Sequence, residues 1–230
     1  MTDAPSLDSR PLAALLGMTA VTGLIDAVSF LSLGHVFTAN MTGNVVFVAF
    51  AVAGVPGLSL ARSVTALAAF FVGAAVSGRI VARQGNDPRV RAGLVAFALE
   101  TALLGAATAA AFGYRGDPTS QATQTYELIV LTALAMGMRN ASVRKLAIPD
   151  LTTTVLTLTI TGLAADSSLA GGTNPRWRRR LASVLLMFVG AVAGALLSRL
   201  SVLLTISLAC ATSAICGLAM RSFARAAPRA

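Results

Sequence analysis

Along the chain, apolar runs of about 20 residues, the length that crosses a bilayer's hydrocarbon layer, alternate with short polar or glycine-bearing joins. By approximate limits they are segment a (12–33), b (38–53), c (63–81) and d (92–112). A loop with Gly113, Gly116, Asp117 and Pro118 follows, carrying the turn chemistry of a connection. Then come a′ (126–146), b′ (151–165), c′ (181–197) and d′ (200–220). Each run is predicted helical. Segments b and b′ stand apart because they are short and rich in hydroxyl and amide groups.

The two series match in order, which predicts two repeats, about 12–113 and about 126–220, within one membrane domain. At one spacing Gly23 matches Gly137, Asp26 matches Asn140, Ala27 matches Ala141 and Thr38 matches Thr152. At a slightly larger spacing Arg62 matches Arg179, and Phe71-Val72-Gly73-Ala74 matches Phe188-Val189-Gly190-Ala191. The longer loop around Gly171–Pro175 accounts for the difference. Internal duplication is a common way to build transporters.

Composition agrees with the pattern. Hydrophobic residues make up 56% of the chain and charged ones only 12%, against about 25% charged in a soluble domain. A soluble enzyme, a disordered chain and a nucleic-acid-binding domain are all poorly supported. The net charge of +9 would suggest a nucleic-acid partner in a soluble protein, but here the arginines sit at segment ends. Arg176, Arg178, Arg179 and Arg180 around Trp177 form a membrane-surface collar.

Those charges also decide the topology. If all eight segments crossed, with the N-terminus inside, basic residues would divide ten to eight, with no bias. If b and b′ enter and leave on one side, 15 of the 18 fall on the inner side. Lys and Arg favour cytoplasmic loops, so the fold expected is an all-α membrane protein of six transmembrane helices plus two short re-entrant segments. Both termini are then cytoplasmic, and the N-terminus is expected to be retained. Three spans per repeat is an odd number, so the repeats have inverted topology, and b and b′ dip in from opposite faces toward the midplane. Irregular backbone at that depth is tolerated where protein or a water-lined cavity satisfies it.

The stretch GLIDAVSFLSLGHVFTANMTGNVV (23–46) and the stretch MGMRNASVRKLAIPDLTTTVLTLTITGLAADS (136–167) resemble the signature of the YoaK-like family of small bacterial integral membrane proteins, catalogued as a domain of unknown function. The resemblance covers most of the chain, about 12–220. It implies an inner-membrane protein of about six helices, and supplies no activity and no functional residues.

The candidate residues therefore rest on their own chemistry. Asp26 lies deep in segment a, where an ionised carboxylate costs about 2.5 to 3.5 kcal/mol on insertion scales; a proton or cation site and a structural hydrogen bond are the two readings. Gly34 and Gly43 allow unusual backbone angles, and between and beside them Thr38, Asn40, Thr42 and Asn44 offer donors and acceptors for a pore-facing bend; the alternative is a helix cap followed by packing. In the second repeat Asp150 precedes Thr152, Thr153 and Thr154, either as an N-cap or as a buried helix start that offers N–H groups to an anion. Arg139, beside Asn140, offers a partner to Asp26 or an anion site, with snorkelling to the inner surface as the alternative. Glu100 in mid-segment d and the lone His35 are further proton-coupling candidates, against an interhelical hydrogen bond and a polar loop residue respectively. Gly73 with Ser77, and Gly190 with Gly194, are small-residue steps that suit close helix packing between c and c′ or a homo-oligomer.

The leading functional expectation is a small secondary transporter or channel for a small solute, anionic or proton-coupled, with its site between b and b′. A non-transporting scaffold or accessory subunit is the alternative. A membrane-embedded enzyme is less favoured: no H-E-x-x-H or G-x-S-x-G motif is present, His35 forms no readable triad, and no Cys/His metal cluster exists. No cofactor, metal or nucleic-acid partner is expected; the bilayer and an unidentified solute are.

Overall fold

The computed structural model describes residues 9–83, 88–146 and 156–226. Among them the chain is all-helical: α1 (Ser9–Ser32), α2 (Met41–Val52), α3 (Leu60–Arg83), α4 (Pro88–Ala110), α5 (Ala122–Leu146), α6 (Leu156–Ala165), α7 (Trp177–Ser198) and α8 (Val202–Ala226), with a 3-10 turn at Ser168–Ala170. Among the described residues, four helices are long and apolar enough to cross a membrane, at Leu12–Ser32, Leu60–Arg83, Trp177–Ser198 and Val202–Arg221. At 1.5 Å rise per residue, α2 with its 12 residues spans only about 18 Å and α6 with 10 about 15 Å.

The bundle buries many hydroxyl-bearing side chains beside its apolar core and exposes large apolar ones on its outside. Ser63, Ser77, Thr125, Thr132 and Ser142 are buried, whereas Phe71, Val72, Phe188, Val189 and Leu196 are more than half exposed. In water such a surface would drive aggregation. In lipid it is the expected arrangement, because hydrocarbon gives no hydrophobic drive between helices and small or hydroxylated residues make the helix contacts instead. Ser77 of α3 and Ser142 of α5 share a 2.6 Å hydrogen bond, and Thr101 of α4 and Ser213 of α8 one of 3.2 Å.

Glycine sets the two tightest crossings. A methyl group on Gly73 would overlap the Leu134 carbonyl, and one on Gly137 the Phe70 carbonyl, so α3 and α5 touch backbone to backbone. The other half of the chain repeats the contact: Gly190 faces the Ala20 carbonyl, Gly23 the Met187 carbonyl, and Gly194 the Leu24 carbonyl. The small-residue steps therefore serve internal packing, and the pairing between c and c′ expected from sequence is corrected. Segment c packs on a′ and c′ on a (α3 on α5, α7 on α1).

These residue pairs fix helix directions. Ala20 and Leu24 face Gly190 and Gly194 in turn, so α1 and α7 run parallel; Gly73–Leu134 followed by Ser77–Ser142 makes α3 and α5 parallel. Gln124 bonds the Ala110 carbonyl while Arg139 meets Glu100, so α4 and α5 are antiparallel. Gly17 meets Cys216 whereas Ser32 and Val202 meet at Gly116, so α1 opposes α8. Thr101 meets Ser213 while Phe97 meets Gly217, so α4 also opposes α8, and α1, α4 and α7 run one way and α3, α5 and α8 the other. The end of α1 and the start of α3 lie together, with the Arg62 guanidinium packed on Gly34 and donating to the Pro118 carbonyl at 2.9 Å. Helix α2 leans on α3, and α6 on α7.

The core is tiered along the bundle. One tier holds Val28, Leu33, Leu128, Val202 and Ile206; the middle tier Ile25, Ala39, Leu104, Met136 and Ala209; the far tier Leu15, Met18, Phe97, Val143 and Met220. Asp26 and Arg139 sit within this packing.

Candidate functional site

Helix α1 stops at Ser32 because the next residues adopt backbone angles that end it. Gly34 and His35 both have positive φ, 89° and 59°. Glycine tolerates this freely, and histidine does so at a cost. His35 is exposed, with its Nδ1 3.3 Å from the Gly57 carbonyl, so that nitrogen carries the proton. The chain then folds back across α1. Phe30, Phe37 and Phe47 stack with centroids 5.2 to 6.0 Å apart and clamp the bend on its outer side.

At the inner side of the bend lies Asp26, 4% exposed. Its Oδ1 accepts the Ala39 backbone N–H at 2.9 Å and its Oδ2 accepts the side-chain amide of Asn40. The carboxylate therefore closes the non-helical stretch onto α1. Thr38 is fully buried beside it, and among the described residues its hydroxyl has no hydrogen-bond partner.

Two of the expected lining residues do something else. Asn44 is fully buried and brackets Phe37: its Oδ1 accepts the Phe37 N–H at 2.9 Å and its Nδ2 donates to the Phe37 carbonyl. It holds the bend's shape. Thr42 is exposed at the start of α2. Alternation in the sequence could not separate these roles, because 38, 40, 42 and 44 share a face only if the stretch is extended throughout, and helix α2 begins at Met41.

Arg139 is completely buried, and its charge partner is Glu100, not Asp26. Nη1 lies 3.1 Å from Glu100 Oε1, itself fully buried, and 3.1 Å from the Met18 carbonyl. Nη2 donates to Thr22 Oγ1 at 2.8 Å and meets the Met136 thioether at 2.8 Å. This excludes snorkelling, since the guanidinium ties α1, α4 and α5 together at mid-bundle. Thr22, which binds the guanidinium, lies one helical turn before Asp26 on α1. Asn140 bonds the Met136 carbonyl of its own helix at 2.9 Å, among other interactions. Asp150, Thr152, Thr153 and Thr154 lie outside the described residues. Farther along α6, Thr159 is buried whereas Thr157 and Thr161 are exposed, so these threonines form no single polar face.

Sequence reasoning missed Arg180 as a buried anchor. Its Nη1 reaches Asp166 Oδ2 and the Gly162 carbonyl, both at 2.7 Å, which pins α6 to α7. The signal available was Gly162, where a side chain would collide with that guanidinium. Among the described residues no group of three or more His, Cys, Asp or Glu is placed to hold a metal, and Cys210 and Cys216 are free thiols.

A helical bundle with lipid-facing aliphatic and aromatic side chains, buried hydroxyls and a fully buried Arg–Glu contact defines an integral membrane protein. The chain belongs to the family described as protein of unknown function (DUF1275), matched over residues 14–219. It is similar to the UPF0700 transmembrane protein YoaK of Bacillus subtilis (strain 168), 36% identical over 157 residues, which cover 68% of this chain and 66% of that protein. No solved structure matches it.

Proposed function

We propose that this protein is a small secondary transporter or channel for a small solute, multi-pass in the bacterial inner membrane, whose working part is the α1–α2 bend closed by Asp26. The observation that carries this is a buried carboxylate holding non-helical backbone inside the bundle. Irregular backbone at membrane depth marks a protein-lined or water-lined place, and an intramembrane acid is a functional site by default. Protonating Asp26 removes its negative charge and weakens the clasp on Ala39 and Asn40, so proton binding would loosen the bend.

The reading includes six spans with α2 and α6 as re-entrant segments and two repeats of inverted topology. It is supported by the helix directions, because α1 and α5, the first helices of the two repeats, run oppositely, and by the reciprocal glycine contacts of α3 on α5 and α7 on α1. On this topology Asn140 belongs to the second wall of the site, both termini are cytoplasmic, and no chemistry of an enzyme is involved.

Two experiments test it. With Cys210 and Cys216 replaced by serine, single cysteines replacing the exposed Pro56 and Thr173 are probed in intact cells with a membrane-impermeant thiol reagent. Labelling at 56 and not at 173 is expected; labelling on one face would refute the inverted topology. In proteoliposomes with an internal pH dye, a panel of small carboxylates, amino acids and sugars is then applied. A solute-driven proton signal lost in Asp26→Asn supports coupling. A signal unchanged in that variant refutes it, and no signal with any solute favours the scaffold reading.

A further inference from the structure

Two buried carboxylates, Asp26 on α1 and Glu100 on α4, lie near one buried guanidinium, Arg139 on α5. Among the described residues no other charged side chain acts on either acid. If both acids were ionised, the cluster would carry a net negative charge in the middle of a bilayer, which costs several kcal/mol. One proton removes that charge.

The hydrogen bonds say which acid has room for it. Asp26 is supplied with donors on both oxygens, as an ionised carboxylate requires. Glu100 accepts from Arg139 on Oε1, whereas its buried Oε2 has no hydrogen-bond partner among the described residues, and the Ser213 hydroxyl is a neighbour of the carboxyl group. An ionised oxygen left so would be costly. A protonated one donates to Ser213 Oγ, which can pass its own hydrogen to Thr101 Oγ1 at 3.2 Å. Thr101 in turn lines a cleft of about 570 Å³ between α4 and α8, with Phe97, Gly217, Leu218 and Arg221.

We infer that Glu100 carries an exchangeable proton on Oε2, that Arg139 is the counter-charge it shares with Asp26, and that Ser213 and Thr101 lead this proton to the α4–α8 cleft. This assigns the coupling ion in the proposed function as the proton. Uptake forms one O–H bond on Glu100 and leaves Arg139 balanced by Asp26. Release to the cleft leaves Glu100 ionised against Arg139, and Asp26 then takes up a proton to keep the cluster neutral.

Difference infrared spectroscopy of the purified full chain in an ester-free maltoside detergent reads this without any solute. At neutral pH the exposed acids are ionised, so a carboxylic C=O band that shifts in heavy water reports a buried acid. The wild-type protein should show one. Glu100→Gln should abolish it. Asp26→Asn should abolish it too, because Arg139 then draws Glu100 into ionisation. A wild type without the band, or a band kept in Glu100→Gln, overturns the placement of the proton; a band kept in Asp26→Asn overturns the sharing. Ser213→Ala, which leaves the charges intact, should shift the band, and an unmoved band refutes the route to the cleft. Because no transport is measured, a lost transport function and a misplaced proton give separate signatures.

Discussion

Replacing Asn44 by alanine tests whether this residue lines a pore or holds the bend. Its side chain satisfies both the N–H and the carbonyl of Phe37, and it is fully buried. Alanine leaves two partly buried backbone groups without partners, at about 1 to 3 kcal/mol each, so the loss should be about 2 to 6 kcal/mol. For a chain of this length, about 2 to 4 °C of melting temperature accompanies each kcal/mol, which puts the drop on the order of 10 °C. Thermal unfolding in detergent, followed by reaction of a dye with the free thiols Cys210 and Cys216 as they emerge, measures it. Thr42→Ala, at an exposed position, should change stability by less than about 0.5 kcal/mol. If Asn44→Ala melted with the wild type, the bracket would be energetically idle and a lining role for Asn44 would return.

Gly190→Ala and Gly137→Ala should each destabilise by about 1 to 3 kcal/mol or more, because the added methyl overlaps a backbone carbonyl that cannot rotate away. Gly78→Ala, with nothing within 4 Å of its added methyl, should be neutral or slightly stabilising, and equal melting of all three would refute the close crossings. Asp117, in the α4–α5 loop, accepts from the Thr119 hydroxyl and N–H and the Ser120 N–H, which hold its carboxyl well below the ordinary 3.8. A depressed folded-state pKa means its contribution is complete above about pH 4 and fades as pH falls toward the lowered value. Asp117→Ala should therefore flatten the acid limb of a melting-temperature profile and leave alkaline behaviour unchanged; an unaltered acid limb would show the loop bonds to be without effect.

Much of the architecture was legible because the bilayer imposes simple arithmetic. The lengths of the apolar runs, the shortness of b and b′, and the glycines of the small-residue steps all read directly from the chain. The burial of Asp26 was legible as well, since it lies amid Ile25 and Ala27. What failed was partner choice. Gly73 and Gly190 signal a close neighbour but carry no address, and their neighbours proved to be α5 and α1.

The sequence by itself thus determined the solvent this protein lives in, the lengths of its helices and where they break, because hydropathy and backbone freedom are local properties. Only the tertiary structure decided that Arg139 meets Glu100 across 39 positions of chain, that Asn44 serves Phe37, and that Asp26 closes the bend through Ala39 and Asn40. Such contacts depend on the relative direction and rotation of packed helices. A hydrogen bond forms or fails over a few tenths of an ångström, and a periodic pattern of residues fixes no distance between helices.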